Sequence, residues 1–233
     1  MLEVNDLYVG YYKDLNILQG VTVNAQRGHI TAVLGANGVG KSTLLKAIYG
    51  FLNPTSGQVI FDGQDVTKIP SHQRVHLGIS YIMQQASIFP WMTVEENIQL
   101  GAWSFRREHK RIRQKIEENY DRFPLLRDRK KTAAGKLSGG MQRMVEIARI
   151  LMSEPRLILV DEPTAGLAII AAREVYHLLK GLRDQHGITI LLVDQDIRSA
   201  LKISDYVYVL DLGRNKFSGP RAEFTDLEKA FWV

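Results

Sequence analysis

The sequence predicts an α/β fold with a mostly parallel sheet interrupted by a helical segment, and three observations carry that reading. Apolar runs at His29–Leu34, Leu157–Val160, Ile188–Val193 and Tyr206–Leu210 have the composition of strands covered on both faces. Helix-length stretches separate the later runs, from about Ile170 to Gln185 and from Ile197 to Ile203, and such alternation argues for parallel strands joined by crossover helices. Over roughly residues 85 to 155 the apolar residues instead follow a helical period.

Taken in order, Leu2–Val9 and Ile17–Ala25 read as the first two strands, and His29–Leu34 as a buried third strand. A glycine-rich turn then leads into a helix over Ser42–Phe51, and Gly57–Phe61 and Ile79–Met83 read as further strands. Gln84–Trp91 has no period. From Thr93 to about Ile150 the spacing of Val94, Ile98, Ile112, Ile116 and Tyr120 is that of helices. The simplest organisation is one domain, residues 1–233, with a helical subdomain inserted at 85–155. No internal repeat or low-complexity tract is present.

Composition narrows the class. A chain of 233 residues can bury a substantial core. The absence of cysteine excludes disulfides and thiol chemistry. No run approaches the ~18 apolar residues of a membrane helix, and Met1–Asp6 carries neither the basic nor the apolar part of a secretion signal, so a cytoplasmic location is expected. The net charge is +5, and Arg106, Arg107, Lys110, Arg111, Arg113 and Lys115 crowd one stretch. A solvated helix face accounts for that cluster most simply; anionic headgroups or an acidic loop of a membrane partner are the functional reading, ahead of nucleic acid, which is not expected as a partner.

Chemistry enters at Gly35-Ala36-Asn37-Gly38-Val39-Gly40-Lys41-Ser42. This is the spacing of a P-loop, in which residues without bulky side chains let backbone N–H groups turn toward a β-phosphate. Lys41 adds a charge for the β and γ oxygens, the Ser42 hydroxyl is of the type that ligates Mg²⁺, and Thr43 continues the binding segment into a helix whose N-terminus faces the anion. A second element, Arg156-Leu-Ile-Leu-Val-Asp161-Glu162-Pro163, ends an apolar strand in two carboxylates. Asp161 is expected to hold Mg²⁺ and Glu162 to orient and deprotonate the water that attacks the γ-phosphate.

The third element is Leu137-Ser138-Gly139-Gly140-Met141, a polar and side-chain-poor helix start 23 residues before Asp161. Two anion sites in one chain invite a sandwich of two copies, each capping the γ-phosphate held by the other with Ser138 and Gly140.

With these motifs in place, the sequence resembles the ATP-binding subunits of ABC transporters from Leu2 to about Pro220. The resemblance implies a P-loop NTPase of the ABC ATPase fold, with an antiparallel β subdomain added to the core sheet. It implies ATP and Mg²⁺ as cofactors, hydrolysis coupled to transport, a second ATPase subunit (the same or a different chain) and transmembrane permease subunits at the cytoplasmic face of the membrane. A periplasmic or extracellular binding protein is implied indirectly. By resemblance, Tyr81-Ile-Met-Gln84 is the glutamine loop, with Gln84 contacting Mg²⁺ and the attacking water; Tyr11, or Tyr12 beside it, stacks on the purine; and Thr164–Ala168 forms the loop that crosses the dimer interface. Leu2–Leu7, Ile88–Asn97 and Asp161–Ala168 look like the branched-chain amino-acid importer group. Gln195 in Leu191-Leu-Val-Asp-Gln-Asp stands where most ABC ATPases have histidine, as in the importer subunit of the LivF type. Its amide can hydrogen-bond the γ-phosphate without carrying a proton. The lipopolysaccharide exporters share the Val145–Arg149 run and are the alternative, together with a non-transport ABC ATPase. Two further departures, Met141-Gln-Arg after the signature and Ile169 in place of a frequent proline, remove no catalytic group.

Overall fold

The computed structural model describes residues 1–12 and 15–224; residues 13–14 and 225–233, which the expected domain range 1–233 includes, lie outside the described residues. Strands β1 (Leu2–Tyr12), β2 (Leu15–Ala25) and β3 (Ile30–Leu34) precede helix α1 (Lys41–Tyr49). Strands β4 (Ser56–Phe61) and β5 (Gln64–Asp65), helix α2 (Ser71–His76) and strand β6 (Ile79–Ile82) follow. Helices α3 (Val94–Gln99), α4 (His109–Arg122), α5 (Pro124–Arg127) and α6 (Gly139–Leu151) then lead to β7 (Leu157–Asp161). The chain closes with α7 (Ile169–His186), β8 (Thr189–Asp194), α8 (Ile197–Ile203), β9 (Tyr206–Asp211) and β10 (Arg214–Pro220).

The strands form two sheets. Order β10-β9-β3-β8-β7-β6 makes the larger one, in which β9, β3, β8, β7 and β6 run parallel and β10 pairs antiparallel with β9. Order β2-β1-β4-β5 makes a smaller antiparallel sheet. The central strands are buried on both faces, and alternate residues of each feed different cores. Ile30, Ala32, Ile158, Val160, Ile190 and Leu192 pack into a cluster with α6, α7 and α8. Val33, Leu157, Leu159, Leu191 and Val193 face the other way, against Leu44, Leu45 and Ile48 of α1 and the inner face of the antiparallel sheet. The P-loop helix is thus held between two sheets.

Between β6 and β7 the chain contains helices, 3-10 turns and one isolated bridge, Thr93 to Ala133. Thr93 starts α3 with a reciprocal cap, its Oγ1 accepting from the Glu96 N–H while the Glu96 carboxylate accepts from the Thr93 N–H. Three elements have no counterpart in the sequence reading: β5, α2 and β10. None shows an apolar alternation; β10 reads Arg-Asn-Lys-Phe-Ser-Gly-Pro and is mostly exposed, and α2 buries a single side chain, Arg74. In the basic stretch, Arg111 and Lys115 are engaged by Glu154, with Glu108 and Glu118 respectively. Arg107, Lys110 and Arg113 are exposed.

Candidate functional site

Parallel strands bring their carboxyl ends to one edge, and four neighbouring strands of the large sheet deliver the candidate residues there. Gly35–Gly40 leaves β3, Gln195 follows β8, Asp161 and Glu162 end β7, and Gln84 follows β6. Strand β8 lies between the P-loop strand and the carboxylate strand. The two are nevertheless joined directly by side chains.

The P-loop begins and ends on glycines that the packing requires. A Cβ on Gly35 would lie 2.5 Å from the Leu210 carbonyl oxygen, and one on Gly40, where φ is 104°, would lie 2.6 Å from the Leu18 side chain. Val39 anchors the loop in the core, while Ala36, Asn37 and Gly38 are exposed. No side chain caps α1, which leaves its first N–H groups for an anion. The buried Lys41 ammonium donates to the carbonyls of Gly35 (2.9 Å) and Ala36 (3.0 Å) and lies 3.7 Å from Glu162 Oε1. Thr43 is buried behind it.

The two carboxylates occupy different hydrogen-bond networks. Asp161 Oδ1 accepts from Ser42 Oγ (2.9 Å) and Oδ2 accepts from Tyr81 Oη (2.8 Å). Burial, reinforced by the Asp161 charge, pushes the Tyr81 phenol far up, so it remains a donor at any physiological pH. Glu162 Oε2 accepts from Gln84 Nε2 at 2.9 Å. Its φ of 40° lies in the left-handed region, a conformation costing about 1–3 kcal/mol for such a residue, and its N–H is held by the Val193 carbonyl of β8 (2.9 Å). The chain therefore turns sharply after Asp161, separating the roles open to the two acids: one beside the loop hydroxyl, the other beside Gln84 and Lys41.

Gln195 is exposed and, with Glu162 and Thr164–Leu167, lines a groove of about 760 Å³. Its placement depends on buried Asp194, whose Oδ1 accepts from the N–H groups of Gln195 and Asp196 and whose Oδ2 accepts from Tyr176 Oη (2.6 Å). Burial raises the Asp194 carboxyl against these stabilising bonds. Tyr11 is half-exposed, its hydroxyl accepting from Lys46 Nζ (3.1 Å) with the ammonium over the ring, and Tyr12 is more exposed still.

Ser138 caps α6 through the Met141 N–H (3.4 Å), and Leu137 is buried beneath it. Gly140 is required by packing on the following segment, since an added Cβ would lie 2.9 Å from the Ala171 Cβ, whereas one on Gly139 would meet only the end of the Leu167 side chain at 2.9 Å. Among the described residues no hydrogen bond joins Ser138–Met141 to the P-loop cluster; the start of α6 remains a separate polar edge. Residues that sequence reasoning did not single out are Tyr81 as the partner of Asp161, and Arg143 and Glu146 on α6, both buried. A charged pair three residues apart, Arg143 just before and Glu146 within the mostly apolar stretch Met144–Leu151, is the signal that marks them.

Among the described residues no group of three or more His, Asp or Glu side chains is placed to hold a metal by itself. Ser42 Oγ, Asp161 and the amide oxygen of Gln84 are instead the sparse, hard oxygen donors that suit Mg²⁺ arriving with a nucleotide, the remaining positions falling to phosphate and water.

Comparison with known proteins places the chain in a family. The sequence pattern of the ABC transporter family matches residues 18–165. The chain is 41% identical over 98% of its length to the probable branched-chain amino acid transport ATP-binding protein LivF of Archaeoglobus fulgidus, 96% of which is covered. It is 36% identical, over 88% of its length and 86% of the relative, to the high-affinity branched-chain amino acid transport ATP-binding protein BraG of Pseudomonas aeruginosa. The lipopolysaccharide export system ATP-binding protein LptB of Haemophilus influenzae is 32% identical over 87% of the chain and 84% of the relative. Among solved structures, a nucleotide-free ATP-binding cassette from an ABC transporter superposes with a TM-score of 0.87 at 28% identity, over 100% of this chain and 95% of the other. A dimeric bacterial ABC transporter cassette superposes at 0.82 and 26% identity, over 95% and 99%.

Proposed function

The chain belongs to the ABC transporter ATP-binding family, and from that premise we propose that it powers import of branched-chain or related amino acids through separate membrane permease subunits. The observation that carries the ATPase assignment of individual residues is the cluster joining the P-loop to both carboxylates: Ser42 to Asp161, Lys41 beside Glu162, and Gln84 on Glu162. The choice of cargo class rests on the two branched-chain relatives and on Gln195, which replaces the histidine expected of the exporter alternative.

In this reading the P-loop amides and Lys41 bind the β- and γ-phosphates, and Tyr11 stacks on the purine. Ser42, Asp161 and Gln84 would hold Mg²⁺, which when bound would supply positive charge to the phosphate oxygens. Glu162, positioned by Gln84 and by its fixed backbone turn, takes the proton of the attacking water. Ser138–Met141 acts on the other copy: the helix start caps the γ-phosphate held by a second ATPase subunit, as the dimeric state of the solved cassette supports. The helical segment 85–155 carries this edge.

No helix among the described residues is long and apolar enough to cross a membrane; the protein works from the cytoplasmic face, peripherally, against its permease. A groove of about 510 Å³ lined by Tyr49, His72, Tyr81, Leu100, Trp103 and Arg149 lies beside the glutamine loop and is the receiving surface together with Phe89 and Trp91. These two are 51% and 94% exposed, whereas Ile88 packs against the core. Replacing Trp91 by Ala is expected to weaken co-purification with the permease while shifting the melting temperature by less than about 2 °C, since exposed substitutions cost within about 0.5 kcal/mol. Undiminished capture of the permease would remove Trp91 from the interface.

Sedimentation of the Glu162→Gln protein with and without ATP and Mg²⁺ tests the sandwich. An ATP-dependent dimer is expected, and adding Ser138→Glu, which sets a carboxylate against the γ-phosphate, is expected to abolish it. A protein that binds ATP and stays monomeric, alone and with a co-expressed partner ATPase, would overturn the assembly.

A further inference from the structure

Between β6 and α3 the chain passes through Met83–Ser87, a segment without regular structure that carries Gln84, and one stripe of α6 grips it. Arg143, 3% exposed, donates through Nη1 to the Met83 carbonyl (2.7 Å) and through Nη2 to the Gln84 carbonyl (2.7 Å). Its Nη1 also meets Glu146 Oε2 at 2.5 Å. Glu146, fully buried, accepts at Oε1 from the Ser87 N–H (3.2 Å) and Oγ (2.7 Å). One turn further on, Arg149 donates to the Ser87 carbonyl (2.7 Å) and Oγ (2.6 Å). Positions 143, 146 and 149 repeat every three residues, so they form one face of the helix. The side chain of Gln84, at the far end of this clasp, donates to Glu162.

A buried ion pair is a poor device for stability alone, because desolvation offsets much of the attraction. Its use here is directional: backbone atoms at both ends of the loop are tied to a helix whose first turn is the Ser138–Gly140 edge. We propose that Arg143 and Glu146 are positioning residues that couple the two nucleotide sites of the sandwich dimer, an inference that rests on the dimer reading above. Gln84 belongs to the site built on its own P-loop, and Ser138 to the site built on the partner's. The clasp makes both parts of one rigid piece. A shift of Gln84 when nucleotide occupies one site moves the start of α6 against the other site, and by reciprocity nucleotide at the second site sets Gln84 in the first. The coupling is carried by a hydrogen-bonded loop-to-helix unit, and it predicts cooperativity that depends on side chains touching neither nucleotide.

The test must avoid stranding one buried charge, which would unfold the protein for reasons unrelated to coupling. Two variants serve: the double replacement Arg143→Met/Glu146→Met, which removes both charges and keeps volume, and Ser87→Ala, which deletes the hydroxyl shared by Glu146 and Arg149. ATP turnover is measured against ATP concentration, alongside ADP affinity of the monomer and melting temperature. Wild type is expected to show a Hill coefficient approaching 2, falling to about 1 in the double variant and to an intermediate value in Ser87→Ala. ADP affinity should stay within about twofold, because no P-loop contact changes. A cooperative wild type with equally cooperative variants overturns the coupling role and leaves the dimer standing. Loss of cooperativity only in step with loss of ADP affinity overturns it in favour of a purely structural one. A wild type that is non-cooperative and never dimerises with ATP overturns the sandwich itself.

Discussion

Glu162→Gln is expected to lower ATP turnover by about 10³-fold while leaving ATP affinity within a fewfold, because a general base typically contributes 10²–10⁴ to such a step. The substitution is nearly isosteric, and the main-chain geometry that aims the side chain comes from the bond between the Glu162 N–H and the Val193 carbonyl, which an amide side chain leaves intact. Lys41 keeps its two P-loop carbonyl partners. What is lost is the ability to accept a proton, together with the carboxylate charge 3.7 Å from Lys41. Phosphate release under steady state, set beside equilibrium binding of a labelled nucleotide, separates the two effects. Turnover within tenfold of wild type would mean that another group receives the proton and that Glu162 only orients water.

Arg74→Met should destabilise the fold by about 3–5 kcal/mol, a large part of the 5–15 kcal/mol that holds a typical domain together. Arg74 is fully buried and donates to the carbonyls of Ile69 (2.7 Å), Ala47 (3.0 Å), Ile48 (2.5 Å) and Thr67 (2.9 Å). Burial lowers its pKa to about 10, the mark of a desolvation cost that these four acceptors offset. Two of the four are carbonyls of the last turn of α1, where a cation also complements the helix dipole. Methionine fills much of the space but leaves the carbonyls of Ile69, Ile48 and Thr67 without the guanidinium donor, each costing about 1–3 kcal/mol, while Ala47 keeps the Gly50 N–H. Chemical denaturation monitored by fluorescence reads the loss directly. A change below about 1 kcal/mol would show that water or backbone relaxation replaces the guanidinium. At temperatures where the variant is folded, nucleotide affinity should persist, since Arg74 lies at the opposite end of α1 from the P-loop.

The parts of the site that are legible in the sequence are those whose chemistry is local. A P-loop is a short contiguous segment because successive N–H groups must converge on one phosphate. Asp161 and Glu162 are legible because an apolar run buried on both faces ends in them, and the start of α6 because small and polar residues cluster where a helix needs a cap. The five parallel strands of the large sheet are legible for the same reason: each carries enough apolar residues to serve two cores at once. Elements whose stability comes from elsewhere have no such signature. Helix α2 exists around one buried arginine, and β10 is a polar strand that forms because β9 offers it an edge.

What the sequence by itself determined is therefore the α/β class, the family and the candidate phosphate-binding and carboxylate residues, since each depends on neighbours in the chain. Tertiary structure alone decided their arrangement. Strand order puts β8 between the P-loop and Asp161, yet Ser42, 119 residues from Asp161, bonds to it across that strand. The same is true of Tyr81 on Asp161, Gln84 on Glu162, and the grip of Arg143 and Glu146 on Met83–Ser87. Directional bonds between segments some 60 to 120 residues apart depend on which elements pack together, and no periodicity or motif within one segment encodes that choice.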